Sequence, residues 1–81
     1  MRNEIDIYDF TAITNRLQQS IKKSLNKQKI YDKDIATALG VTPSYYAVIK
    51  RRKKILFEEI LYYCFMNNID IDWVFFGKID S

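Results

Sequence analysis

Hydrophobic and polar positions along the chain fall into five stretches of helical period, separated by short polar breaks. From Asp9 onward, Phe10, Ile13, Leu17, Ile21 and Leu25 recur at intervals of three and four, which predicts an amphipathic helix with one inward stripe. Asp9 is placed to cap its first turn. Lys22, Lys23 and Lys27 fall late, where positive charge suits the helix dipole. Asn15, Gln18 and Gln19 make its solvated side. The break at 26–31 is polar at its tip, with Ile30 or Tyr31 expected to tuck into the core. A second helix starts at Asp32 or the residue before it and turns Ile35, Ala36 and Leu39 inward. Gly40 lies just past it, where a left-handed backbone costs little only for glycine, and Val41 then points inward. Thr42 is a good cap for a third helix, and Pro43 stands at its first position, where a missing amide costs nothing. Tyr46, Ile49 and the stem of Lys53 are expected on its inner face. Ile55, Leu56 and Phe57 lead into a fourth helix over 57–66, with Phe57, Ile60, Leu61, Cys64 and Phe65 as its apolar stripe. Asn67-Asn68 end it, Asp70 caps a short fifth helix containing Trp73, Val74 and Phe76, and Gly77 stops that helix.

The pattern predicts an all-α domain of five short helices over 9–77, with an N-terminal arm at 1–8 and a tail at 78–81. In the arm, Ile5 and Ile7 alternate with charges. The chain of 81 residues is short enough for one domain, and at 48% hydrophobic it is too apolar for a disordered one. One cysteine excludes an internal disulfide and fits a reducing compartment, and the absence of histidine leaves no zinc set. No metal and no cofactor are therefore expected. Glu58-Glu59 fall in a first helical turn, where the dipole accounts for them, and Cys64 falls on an inner face as a packed hydrophobe. With no converging acid, base and nucleophile, the chain is not expected to be an enzyme. It has no apolar run of about 18 residues and no signal-peptide pattern, so a cytoplasmic, nucleoid-associated protein is expected rather than a membrane one.

Charge placement matters more than the mild net charge of +3. Five consecutive bases, Lys50 to Lys54, close the third helix. Two short helices joined by a glycine turn, the second ending in positive charge, outline a helix-turn-helix, in which one helix holds the other in the major groove. Small Ala36 permits the close approach and Gly40 makes the turn. Burying Val41, Tyr46 and Ile49 leaves Pro43, Ser44, Tyr45, Ala47, Val48 and Arg51 on one outward face. Arg51 can pair bidentately with guanine, Ser44 and the Tyr45 hydroxyl can bond base edges or phosphates, and Pro43, Ala47 and Val48 suit thymine methyls. Those contacts predict T-rich half-sites with a G.

Residues Ala36, Gly40, Val41 and Thr42-Pro43-Ser44 resemble the helix-turn-helix of lambda-type phage repressors. A second stretch, Asn67-Asn68-Ile69-Asp70-Ile71-Asp72-Trp73-Val74-Phe75-Phe76-Gly77, resembles the run downstream of it in that family. Together they span roughly residues 12–77. The resemblance implies a compact lambda-repressor-like fold and a role in transcription regulation. By position it gives base reading to Pro43, Ser44, Tyr45, Val48 and Arg51, and backbone contact to Lys33 at the start of the second helix. Thr42, Lys50, Arg52, Lys53 and Lys54 complete the set expected to meet phosphates. Two positions depart from the family: Pro43 stands where Gln is common, and Tyr46 where Val or Ile is usual. Many members also carry a self-cleaving C-terminal domain, so the chain resembles the DNA-binding half or a small stand-alone regulator.

The leading expectation is thus a sequence-specific repressor of double-stranded DNA, acting as a homodimer on half-sites about 34 Å apart. Phe75 and Phe76 are its expected dimer contacts. The alternative is a protein-interaction module, an antitoxin or an accessory or anti-repressor factor that uses the same fold. RNA binding is disfavoured, because no aromatic platform is evident.

Overall fold

The computed structural model describes residues 8–77, all of whose regular structure is helical. The expected arm at 1–8, apart from Tyr8, and the tail at 78–81 lie outside the described residues. Five helices run in order: α1 Phe10–Leu25, α2 Asp32–Leu39, α3 Pro43–Arg52, α4 Phe57–Met66 and α5 Ile71–Phe76. Their ends follow local chemistry. Asp9 accepts the Ala12 amide at 3.2 Å, Thr42 accepts that of Tyr45 at 3.1 Å, and Asp70 accepts that of Asp72 at 3.0 Å. Each thereby satisfies an amide that the first turn leaves without an intrahelical partner.

The layout hangs on α1 and α2. α1 packs against α2 and α5, α2 packs against α3 and α4, and α4 closes on α5. Ile13, Leu17 and Ile21 of α1 meet Ile35, Ala36 and Leu39 of α2, Tyr46 and Ile49 of α3, and Leu56, Ile60, Tyr63 and Cys64 around α4 in one buried cluster. Val74 and Phe75 complete it from α5.

A long-range contact fixes α5. Arg16, on α1, donates from Nη1 to the Val74 carbonyl at 2.9 Å, satisfying one of the free carbonyls at the end of α5. Gly77 follows with φ +75°, and a Cβ on it would lie 2.7 Å from Arg16 Nη2. The backbone conformation favours glycine there, and a Cβ would also push aside the end of the Arg16 side chain. Tyr8 packs edge-on against Phe57 at 4.9 Å between ring centroids and lies 5.5 Å from Phe76. Phe57 stacks on Phe75 at 5.7 Å.

Several expectations are corrected. The α1 stripe stops at Ile21, and Leu25 is exposed. The expectation that Ile30 or Tyr31 tucks into the core, by contrast, holds through Ile30, while Tyr31 is exposed. Lys53 is not helical: it is the left-handed cap of α3, with φ +54°, and its stem is exposed. On α4 the buried face is Ile60, Tyr63 and Cys64, while Phe57, Leu61 and Phe65 are exposed. The expected stripe is thus rotated by about one residue. Because α4 is apolar nearly all round, its sequence period cannot select the face; the fit of Tyr63 against Ser20 on α1, with hydroxyls 3.2 Å apart, does. Phe75 is only 5% exposed, so it belongs to the core and not to a dimer surface, whereas Phe76 is 41% exposed.

Candidate nucleic-acid interface

The connection between α2 and α3 is built from its own residues. Gly40, at φ +76° and ψ 28°, donates to the Thr37 carbonyl at 3.1 Å, and Val41 donates to that of Ala36 at 2.9 Å. These two bonds close the end of α2 in a Schellman motif. No atom lies within 4 Å of where a Gly40 Cβ would stand, so the backbone conformation alone demands glycine here. Thr42 then caps α3 with Pro43 at its first position. The Thr42 hydroxyl accepts the Tyr45 amide, and its own hydrogen stays available to an outside acceptor.

α3 turns Tyr46 and Ile49 into the core. Pro43, Ser44, Tyr45, Ala47 and Arg51 are exposed, and Val48 is half-buried, so Val48 offers an edge rather than a full face. Ser44, Ala47, Val48 and Arg51 follow a three-and-four spacing and form one seam, with Tyr45 and Arg52 along its flank. No acid interrupts the stretch from Gly40 to Ile55.

The basic run is not one patch. Lys50 bends back to the first residue of α2, and its Nζ meets the two Asp32 carboxylate oxygens at 3.0 and 2.9 Å. That pair is half exposed, so it ties the end of α3 to the start of α2 only weakly, and it offsets the Lys50 charge. Lys50 was expected to serve a phosphate; here it is committed to Asp32. Lys33 and Lys50 flank Asp32 in one shallow hollow with Gln18 and Tyr31. Lys53 and Lys54 lie on the other side of the run, in an open hollow with Asp9 and Thr11 at the start of α1 and Phe57 at the start of α4. Among the described residues no carboxylate pairs with Arg51, Arg52, Lys53 or Lys54.

Lys53 also has an uncommon backbone for its residue type, with φ +54°. Among the described residues, three non-glycine positions have positive φ: Asn26, Asn68 and Lys53. Asparagine tolerates that region; lysine has no local compensation for its Cβ. The Lys53 and Lys54 amides nevertheless close α3 on the carbonyls of Lys50 and Ile49, at 3.1 and 2.9 Å. Strain of this kind is commonly retained where the side chain has a task.

Titrating groups mark structure more than chemistry. Backbone donation from Tyr31 and the Lys27 ammonium, 3.0 Å away, hold the Asp34 carboxyl below the usual carboxylate value. Burial pushes the Tyr46 phenol up, and the Asp32 carboxylate adds to the shift. Thr14 faces that phenol, but no hydrogen bond joins the buried hydroxyl to a partner among the described residues. Burial raises the Cys64 thiol to about 11, which keeps it protonated and unreactive near neutral pH.

The pattern of residues had no means of locating the Asp32–Lys50 pair, the division of the basic run or the approach of the α1 start to Lys53-Lys54. Each joins segments far apart in sequence. Among the described residues, no three His, Cys, Asp or Glu side chains gather where they could hold a metal ion, and no helix is long and apolar enough to cross a membrane. Comparison with protein-family models, with curated proteins and with solved structures gave no match.

Proposed function

We propose that this chain is a sequence-specific duplex-DNA-binding regulator of transcription, working as a homodimeric repressor in the cytoplasm, on the nucleoid. In this reading α2 and α3 are a helix-turn-helix of the phage-repressor type, and α3 enters the major groove. The observation that carries it is the α3 surface: an acid-free outward face, packed on α2, ending in four bases that no carboxylate among the described residues pairs with. Arg51 and Ser44 read base edges, and Pro43, Ala47 and the edge of Val48 meet thymine methyls. Tyr45 reads an edge or a phosphate. Thr42, Lys33, Arg52, Lys53 and Lys54 hold the phosphates, and Lys50 joins them only by leaving Asp32.

Selection of bound duplexes from a random pool tests this reading. It should enrich paired T-rich half-sites about 34 Å apart, each with a G. Arg51→Ala should erase the preference for that G, at about 1–3 kcal/mol. A pool that shows no enrichment after repeated rounds would contradict sequence-specific reading.

A second reading, a protein-interaction module of the antitoxin or accessory-factor kind, draws on a different surface: the exposed apolar face of α4. It predicts no retention of any duplex, even at low salt.

A further inference from the structure

The outward face of α4 carries Leu61, Tyr62, Phe65 and Met66, with Phe65 76% and Tyr62 66% exposed. The spacing makes them one surface: Leu61 and Phe65 are one turn apart, as are Tyr62 and Met66, and Tyr62 lies three residues from Phe65. Charge sets this surface apart. The stretch from Ile60 to Ile69 contains no Asp, Glu, Lys or Arg, in a chain whose net charge is +3.

We infer that two copies of this chain associate through the α4 face, with Phe65 and Tyr62 at the centre of a two-fold interface. Two copies of a basic protein repel wherever their bases meet, so an apolar face that carries no base is where self-association costs least. Its charged neighbour along the helix is Glu58, one turn before Leu61 and Tyr62. A two-fold axis through Phe65, near the other end of the helix, sets the same patch against itself without placing the two Glu58 carboxylates together. Area agrees. With aromatic side chains offering on the order of 150–250 Å² each, the four residues present on the order of 500 Å². Pairing doubles this to on the order of 1,000 Å², the size at which specific interfaces begin. Aromatic residues at the centre of such a patch are the usual energetic anchors. The α4 face shares no residue with the α3 surface, so a pair joined here keeps both α3 helices open. The last helix offers less, since Phe75 is core and Phe76 is partly covered by Tyr8. This inference supplies the dimer that the DNA reading requires, and its test separates the two.

Sedimentation equilibrium of the full chain should show a dimer at tens of micromolar. Phe65→Asp, at a site too exposed to disturb the core, should weaken association by about 100-fold, because each dimer loses the anchor twice and gains two facing carboxylates. Phe76→Ser should leave association unchanged. Helical circular dichroism confirms that each variant is folded. A wild-type chain that stays monomeric at several hundred micromolar, with and without duplex, overturns the inference, as does a Phe65→Asp variant that dimerises as tightly as the wild type. So does loss of the dimer in Phe76→Ser alone. A monomer that retains duplex at low salt removes only this interface, whereas an α4-dependent dimer that ignores duplex removes only the DNA reading.

Discussion

The ends of α2 and α5 are closed by the same kind of glycine in different surroundings. Gly40 closes α2 with bonds to its own last turn, in open space, so every part of that junction lies within a few residues. Gly77 likewise donates to the last turn of α5, to the Trp73 carbonyl at 2.8 Å, and there the guanidinium of Arg16 arrives as well, from 58 residues away, to bond the Val74 carbonyl. Both stops are thus set by local backbone chemistry, and the end of α5 carries a tertiary contact besides.

Paired substitutions put this contrast at risk. Gly77→Ala should destabilise by about 3 kcal/mol in urea unfolding, from the left-handed strain together with a displaced charged hydrogen bond. Gly40→Ala, with strain alone, should lose about 1–2 kcal/mol. In an Arg16→Ala background the cost at Gly77 should fall to that of Gly40; equal costs in the wild-type chain would mean that Arg16 does not hold the α5 end.

The same contrast explains which features were legible in the sequence. The caps Asp9, Thr42 and Asp70, the stops at Gly40 and Gly77 and the five helix spans were all readable, because each is set by neighbours within one turn. Most of the inward faces of α1, α2 and α3 was readable too, since polar residues occupy their other sides, but Leu25 and the Lys53 stem, expected inside at the helix ends, are exposed. On α4 that contrast vanishes, and Tyr63 was missed while Phe65 and Leu61 were placed inside. For the candidate site, the outward residues of α3 could be listed from a helical wheel, except that Val48 is half-buried. Their partners could not: Lys50 on Asp32 depends on how α3 crosses α2, and the left-handed Lys53 follows from where α3 must stop.

A smaller effect probes Lys53 itself. Lys53→Gly should relieve the left-handed strain and stabilise the fold by about 0.5–1 kcal/mol. If Lys53 holds a phosphate, the same change should weaken binding to all duplexes alike. Opposite movements of stability and affinity would show a residue kept for contact at a structural cost. A change that left affinity untouched would make it a helix cap only.

The smallest effect concerns the entry to α2. The Asp34 carboxyl sits below its ordinary value of 3.8 because the Tyr31 amide and Lys27 favour its charged form. A carboxylate with a depressed folded value contributes stability that is fully present above its unfolded value and is lost as pH falls through the folded one. The contribution should therefore hold at pH 5–7 and fade below about pH 4. Asp34→Asn should flatten the acid limb of a thermal-unfolding series without changing its slope near neutrality. An unchanged acid limb would show that Lys27 and Tyr31 do not favour the charged form in solution.

Whether the outward face of α3 grips duplex DNA is tested most directly by binding to a labelled duplex between 50 and 200 mM salt. The four bases assigned to phosphates, Lys33, Arg52, Lys53 and Lys54, predict a falling line, with a log–log slope of about −3 to −4 per protomer at about −0.9 per phosphate. Binding that ignores salt, or no binding at 50 mM, would contradict the account.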